Sequence, residues 1–362
     1  MIEKVSILSS AGTVSRARLH RLANALMQAG IEVHIWAPGD KGDAPSGSIF
    51  HKVIFHNILG TRSKFPRVFR GLIIPFQAQG DAFLTISPDI LPIAFLVAKL
   101  RKKKLIADIN EDYLKLLKDR AWAKGVIGTI AKFVAWFANT IAAKADLLIV
   151  ADNQVPPFNA KKRMVIKNLP DSSMIPLSGT LDETPRAIYI GDIRKTRGLY
   201  SMLRIAELAP KWRFDFIGPI AAEDKNYVEQ WLKNSPAAAR VKFHGQLSPN
   251  KSWEFAIGAW AGLTLLESTP AFLEAVPSKL YEYSYSGLAV ISSALPRCVE
   301  LLNESGGGVI IESDEGGAHI LNSWANNQDS LLNIRKKSFN WAHQTLNPDA
   351  LYREFSQAVK SL

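Results

Sequence analysis

Two glutamates eight residues apart, Glu274 and Glu282, stand in the most chemically suggestive stretch of the chain, where residues 272–293 read Phe-Leu-Glu-Ala-Val-Pro-Ser-Lys-Leu-Tyr-Glu-Tyr-Ser-Tyr-Ser-Gly-Leu-Ala-Val-Ile-Ser-Ser. Ser278 to Ser286 reads as a short helix that Gly287 ends before a buried strand, and Glu274 lies in the loop leading into it. A loop entering a helix offers backbone N–H groups and a positive dipole end, suited to phosphates or sugar hydroxyls. Carboxylates placed there accept hydrogen bonds from hydroxyls, so two in sequence could hold a sugar and a ribose. By spacing alone they mean little, because acids on a surface are the common case.

Other chemistries lack their residues. There is no Gly-x-x-x-x-Gly-Lys-Ser/Thr phosphate loop, no Gly-x-Gly-x-x-Gly after the first strand-like run and no Gly-x-Ser-x-Gly elbow, which removes the main support for ATPase, NAD-dependent and serine-hydrolase readings. The seven histidines never fall at His-x-x-x-His spacing, and with a single cysteine, Cys298, local spacing assembles no zinc cluster. One cysteine also makes no internal bridge, so a reducing cytoplasm is the expected compartment. The N-terminus, Met-Ile-Glu-Lys-Val-Ser-Ile-Leu, reads as a strand carrying an acid rather than as a signal peptide.

The elements that must position the glutamates follow an alternating pattern. Strand-like runs fall at Val5–Leu8, Glu32–Trp36, Lys52–Phe55, Ala82–Ile86, Leu105–Ile109, Asp146–Val150 and Met164–Ile166. Helical patterns lie between most of them. The first, Ser15 to Ala29, puts Leu19, Leu22, Ala23 and Leu26 on one face with Arg16 and Arg21 off it, and Gly30 ends it. Residues 171–185 have no periodicity and hold two prolines and a glycine, which predicts a linker. A second series follows at Ala187–Ile190, Arg213–Ile217, Val241–Phe243, Gly262–Leu266, Ala289–Ser292 and Gly308–Ile311. The expected architecture is α/β: two Rossmann-like domains, 1–170 and 186–345, with parallel sheets facing across a ligand cleft. Residues 346–362 are expected to form a C-terminal helix packing back on the N-terminal domain.

The 362 residues, 47% hydrophobic and 21% charged, suit two globular domains with proper cores. The charge is uneven. Residues 1–170 hold 25 Lys and Arg against 12 Asp and Glu, and residues 171–362 hold 19 against 21. All the excess positive charge thus sits on one half, which points to a polyanionic partner there: acidic lipid, nucleic acid or a phosphorylated substrate. A merely solvated basic surface is the plain alternative. Residues 62–74 interleave Arg62, Lys64, Arg67 and Arg70 with Phe65, Val68, Phe69, Leu72, Ile73 and Ile74, and Arg101 to Lys104 forms another basic cluster. Both suit an anionic membrane surface, although an ordinary helix packed on the sheet would read the same way. Aromatics at the regular spacing of a strand-binding groove are not evident, so nucleic acid is not the expected partner.

Gly125 to Ala143 also needs testing as a membrane span, being nineteen residues charged only at Lys132. Trp122, Val126, Ile130, Phe133, Phe137 and Ile141 make one helical stripe, with Lys124, Thr129, Lys132 and Asn139 off it. A span would cut the strand–helix alternation, so a buried or interfacial amphipathic helix is expected.

In context the glutamate segment resembles the Glu-x7-Glu signature of retaining GT-B glycosyltransferases of the family-4 type (group 1), whose leading glutamate is followed by Pro-x-Lys-Leu-x-Glu-Tyr and a Gly-x-Pro-Val-Ile turn. Here Ala289 replaces that turn's proline. Tyr189-Ile190-Gly191-Asp192-Ile193-Arg194-Lys195-Thr196-Arg197-Gly198-Leu199 resembles the family's glycine-rich strand end and the basic residue after it, with Arg197 where lysine is common. Weaker similarity covers Ser15 to Trp36, Asp146 to Val150 and Val165 to Asp171, so the likeness runs along most of the chain in order. Asp108-Ile109-Asn110-Glu111-Asp112 stands where many relatives read Asp-x-His-Glu, with Asn110 in place of the histidine that lines the acceptor side. Asp108 and Glu111 read equally as a helix cap and a first-turn acid.

The resemblance implies retaining transfer, without metal or other cofactor, from a nucleotide sugar, with UDP the favoured nucleotide. The donor would bind mainly the C-terminal domain and a saccharide or lipid-linked acceptor the N-terminal one. Glu282 would take the ribose hydroxyls and Glu274 the sugar. Arg197 with Lys195 or Lys279 would neutralise the diphosphate, and Gly12, Gly191 and Ser278 would complete the donor site. Asp108, Asn110 and Glu111 are the acceptor-side candidates. Cell-surface polysaccharide or glycolipid synthesis is the expected setting, in the cytoplasm and at the inner face of the plasma membrane. Two other readings stay open: a GT-B nucleotide-sugar epimerase, and a basic nucleic-acid-binding protein with a vestigial sugar-nucleotide site.

Overall fold

The structure is a computed structural model and describes residues 1–10, 13–53, 72–118, 123–171, 173–273 and 276–362. Gly12, Glu274 and the basic run from Arg62 to Arg70 lie outside these residues. The chain divides into two units, one of Met1–Asn168 with Asp349–Leu362 and one of Leu169–Pro348.

The first unit is built on β1 (Lys4–Leu8), β2 (Glu32–Ala37), β3 (Ile49–Lys52), β4 (Ala82–Thr85), β5 (Lys104–Ile109), β6 (Leu147–Val150) and β7 (Arg163–Val165), in the order β3-β2-β1-β4-β5-β6-β7. Every pairing is parallel. The central strands are buried on both faces, which is why they read as unbroken apolar runs. Helices α1 (Ala17–Gln28), α2 (Leu91–Leu100), α3 (Tyr113–Lys118) and α4 (Gly125–Ala142) connect them. One face of the sheet packs Ile7, Leu22, Leu26 and Ile35 against Tyr352, Phe355 and Val359 of the C-terminal helix Pro348–Lys360. The other packs Phe83, Ala94, Val97, Ala138 and Leu148.

The second unit carries β8 (Arg186–Ile190), β9 (Arg213–Ile217), β10 (Val241–Gly245), β11 (Ala261–Thr264), β12 (Ala289–Ser293) and β13 (Gly308–Ile311), in the order β10-β9-β8-β11-β12-β13, again all parallel. Its helices are α5 (Leu199–Leu208), α6 (Lys225–Asn234), α7 (Pro249–Glu254), α8 (Ser278–Ser286), α9 (Pro296–Ser305), α10 (Asp314–Asn326) and α11 (Asp329–Thr345). Within one face of the core Trp212 meets Trp260 edge-on and Trp324 at a tilt. Trp253, Leu280, Tyr283 and Cys298 fill the other. In both units the strand order reverses beside the first strand, between β1 and β4 and between β8 and β11. Ligands of such sheets bind beyond the strand ends at that reversal.

Four local findings differ from the sequence reading. The third strand is Ile49–Lys52 rather than Lys52–Phe55: its register runs from His34 opposite Ile49 to Ala37 opposite Lys52. As an edge strand with no fully buried residue it leaves a weak apolar signature. Arg21 is buried although it lies off the apolar stripe of α1, because its guanidinium reaches Asn168 at 3.2 Å. Residues 171–185 are not a free tether. Met174 and Ile175 are in the core of the second unit, and buried Arg335 donates to Ser178 Oγ at 2.8 Å. Finally, Val126, Ile130, Phe133 and Phe137 of the α4 stripe are exposed rather than buried, and of its described residues Ile141 alone is buried.

Candidate active site

The strand end of β8 gathers several of the residues singled out by sequence. The chain leaves the sheet at Gly191 with φ of 141°, and a Cβ there would lie 2.6 Å from Lys279 Nζ. Glycine is needed both for this backbone conformation and for Lys279 of α8 to lie across it. The ammonium is 5.4 Å from the centre of the Tyr189 ring, within cation–π range. Tyr189 donates its hydroxyl proton to the Asp192 carbonyl at 2.8 Å. Burial pushes its phenol up to about 12, opposed chiefly by the charge and hydrogen bond of Arg197. Lys279 and Arg197, 82 residues apart in sequence, thus meet around one tyrosine.

Arg197 and Lys195 belong to a single helical turn, Lys195–Arg197, which Gly198 closes with φ of 85°. A side chain on Gly198 would run into the carbonyl of Leu265. The loop after β11 is tied to this turn by a hydrogen bond from Glu267 N to the Thr196 carbonyl, 3.0 Å. Lys195 is exposed. Its backbone N–H donates to Asp224 at 3.0 Å, and its ammonium lies 5.7 Å from the Tyr200 ring centre.

The first turn of α8 supplies the carboxylate. Ser278, its first residue, donates to Glu282 Oε2 at 3.3 Å, and Glu282 is buried. The helix is seated by Tyr283, whose hydroxyl accepts from Ile190 N at 3.1 Å and whose ring lies under Gly262 of β11. Burial holds that phenol well above its ordinary value, so it stays a neutral anchor. The arrangement brings the cations Lys279 and Arg197 to the Tyr189 ring at the end of β8, with Lys195 in the same turn as Arg197, and it keeps Glu282 buried one turn inside α8. Glu274 precedes this helix and lies outside the described residues.

In the first unit, Asp108 at the end of β5 is only 2% exposed and is engaged by Arg18 of α1. Arg18 Nε lies 3.0 and 2.7 Å from the two carboxylate oxygens and Nη2 lies 2.6 Å from Oδ1, a bidentate pair. Nη1 donates to the Ile166 carbonyl at 2.9 Å and to Asn168 Oδ1 at 2.8 Å. Burial works against the Arg18 charge, but Asp108 more than offsets it and the guanidinium is held above its ordinary value. Asn110 accepts from the Tyr113 hydroxyl at 2.9 Å, and Glu111 is exposed. The helix cap here is Asp112, whose carboxylate accepts from Leu114 N and Lys115 N at 3.1 Å. Of the three acceptor-side candidates, then, Asp108 and Asn110 have protein partners and Glu111 faces solvent.

Sequence reasoning missed Arg18, Tyr189 and Tyr283, and a hydroxyl cluster after β1 and β4. There Ser10 donates to Asp89 at 2.6 Å, and Ser9 lies 3.4 Å from Ser87. An acid ending a buried strand, as Asp108 does, demands a cation and could have pointed to Arg18. Tyr189 and Tyr283 stand inside the two quoted motifs, but neither was singled out as a site residue. Among the described residues no cluster of three or more His, Cys, Asp or Glu is placed to hold a metal ion.

Similarity to known proteins falls on the same elements. The chain matches solved glycosyltransferase structures over its full length. HepE of Anabaena, crystallised with UDP and glucose, is 14% identical with a TM-score of 0.71, covering 100% of both chains. Sucrose-phosphate synthase of Thermosynechococcus elongatus is 14% identical with a TM-score of 0.72, covering 99% of this chain and 98% of its own. TarM of S. aureus, crystallised with fondaparinux, α-GlcNAc-glycerol and UDP, is 9% identical with a TM-score of 0.70, covering 99% of each. The fold is therefore GT-B. No curated protein sequence matches the chain significantly. Residues 177–341, which contain Gly191, Lys195, Arg197, Ser278, Lys279 and Glu282, match the family described as glycosyl transferases group 1.

Proposed function

We propose that this chain is a retaining glycosyltransferase that moves a sugar from a nucleotide sugar, UDP-linked in the first instance, to a hydroxyl of a saccharide or lipid-linked saccharide. The observation that carries the reading is the meeting of Lys279 and Arg197 around Tyr189 at the end of β8, with Glu282 one turn inside α8. Glu282 accepts hydrogen bonds from the ribose hydroxyls. Arg197 and Lys279, with Lys195 at the rim, neutralise the diphosphate, and Gly191 lets it approach the strand end. Glu274 takes the role that the family resemblance gives it, toward the sugar hydroxyls.

In the reaction the acceptor oxygen forms a bond to the anomeric carbon on the face from which the diphosphate departs. The bond from that carbon to the phosphate oxygen breaks, and the acceptor proton passes to a phosphate oxygen. No protein nucleophile and no metal enters. Charge builds on the departing diphosphate, so fixed cations already aimed at it stabilise the transition state more than the ground state. Holding the acceptor hydroxyl beside the leaving diphosphate on that same face supplies the remainder through lost translational freedom.

The test is release of nucleoside diphosphate from a panel of nucleotide sugars with and without oligosaccharide acceptors, in the presence of EDTA. Acceptor-dependent release, with product of retained anomeric configuration, is expected. If no nucleotide sugar is consumed with any acceptor, or if product forms with inversion, the reading fails.

A further inference from the structure

Helix α4 is packed the wrong way round for a helix of a soluble core. Its buried residues are Gly128, Ala135, Ala138, Ile141 and Ala142, mostly small. Its large side chains point out: Val126 is 77% exposed, Ile130 58%, Phe133 61% and Trp136 54%, with Ile127, Val134 and Phe137 also exposed. Eighteen residues long and apolar enough to cross a bilayer, the helix has only 28% of its residues buried. A core helix would bury the Phe and Trp and show water its alanines. The neighbouring helix α2 packs against α4 and adds exposed Leu96 and Leu100. An apolar surface of this extent on one face marks an interaction site.

Charge identifies the occupant. The sequence from Leu91 to Lys104 and from Lys124 to Lys144 contains Lys99, Arg101, Lys102, Lys103, Lys104, Lys124, Lys132 and Lys144, and no Asp or Glu. Lys102 adopts a left-handed φ of 52° at the turn closing α2, a position that favours glycine. Of these cations Lys104 pairs with Asp146 at 3.4 Å, and the remaining excess of positive charge beside an apolar face disfavours a second copy of itself. It complements an interface of acyl chains under anionic headgroups, where aromatic rings settle at headgroup depth and lysines snorkel to phosphates.

We infer that α4, flanked by the basic end of α2, lies in the surface of an anionic lipid bilayer with its Val126, Ile130, Phe133 and Trp136 face inserted. The small residues of its other face keep it seated on the sheet. This rests on the reading of the chain as a glycosyltransferase only for its biological purpose, since it would hold the enzyme beside a lipid-linked acceptor. The docking itself stands independently of the donor site.

The experiment is co-sedimentation of the full chain with vesicles of phosphatidylcholine alone and with a third phosphatidylglycerol, at low and high salt, alongside a soluble acceptor assay and sedimentation of the protein by itself. The wild type should bind the anionic vesicles at least tenfold more tightly than the neutral ones and release with salt. Val126→Ser with Ile130→Ser, Phe133→Ser and Trp136→Ser should reduce binding at least tenfold while leaving the melting temperature and nucleotide affinity unchanged, because these side chains are exposed. Lys99→Gln and Lys102→Gln should each weaken binding about fivefold. Absence of vesicle binding by the wild type at low salt overturns the inference. So does equal binding by the fourfold variant. A wild type that is a stable dimer in solution, and a monomer when the four residues are changed, assigns the face to a second copy and also overturns it.

Discussion

Replacing Asp108 with asparagine tests whether this acid holds the first unit together or meets an acceptor. The substitution keeps the shape but removes the charge facing Arg18, which lies 2.6 to 3.0 Å away through three contacts. Both groups are buried, with side-chain exposures of 10% for Arg18 and 2% for Asp108. Removing one partner of such a pair leaves an uncompensated buried charge and costs about 3–5 kcal/mol. Arg18 keeps its bonds to the Ile166 carbonyl and Asn168, so the lower end, about 3 kcal/mol, is expected. For a unit of this size that corresponds to a fall in melting temperature of roughly 6–12 °C. Thermal and urea unfolding followed by circular dichroism would read it. Combining Asp108→Leu with Arg18→Met should recover most of the loss, because neither charge then remains buried. If Asp108→Asn is as stable as the wild type within about 0.5 kcal/mol but loses acceptor turnover, Asp108 is an acceptor contact and the structural role assigned here is wrong.

Further outcomes follow from the second unit. Glu282→Ala should weaken donor binding by about 1–3 kcal/mol by calorimetry, whereas Arg197→Ala should lower kcat more than it raises KM, because its charge matters most as the diphosphate leaves. Gly262→Ala would drive a Cβ into the Tyr283 ring and should cost about 1–3 kcal/mol of stability, read by urea unfolding. Tyr189 keeps its proton to about pH 12 in the folded chain, against about 10 when unfolded. Its contribution to stability is thus complete below pH 10 and is lost as the pH rises from there toward 12, by up to about 3 kcal/mol. A Tyr189→Phe chain should show a correspondingly shallower decline over that window.

The central parallel strands were legible because they are buried on both faces and so read as apolar runs. Arg213–Ile217 and Gly308–Ile311 coincide with the sequence reading, and so does helix Ser278–Ser286. The edge strand Ile49–Lys52 was displaced because a strand with no fully buried residue leaves no such run. Periodicity found the stripe on α4 but not its direction. An apolar face is the same in sequence whether it meets a core or a bilayer, and only the small residues Gly128, Ala135 and Ala138 opposite it decide the matter. In the candidate site, Lys279, Arg197 and Gly191 were legible as residue types at familiar spacing. Their meeting at Tyr189 depends on α8 being seated by the Tyr283 hydroxyl on Ile190 N, a contact across 93 residues that no local pattern encodes. Arg18 was hidden for the same reason, its partner being 90 residues away.

The central claim is that the cluster around Tyr189 and Glu282 binds the diphosphate and ribose of a nucleotide sugar. The most direct measurement is the melting temperature of the wild type and of a Lys279→Ala, Glu282→Ala chain across a titration of UDP, GDP and UDP-glucose in EDTA. A ligand at a hundred times its dissociation constant stabilises the folded chain by about 2.7 kcal/mol, so a rise of roughly 5–10 °C is expected for the wild type with at least one nucleotide, and little or none for the double variant. A wild type whose melting temperature does not move with any of these at millimolar concentration, or a double variant that responds equally, would contradict the account.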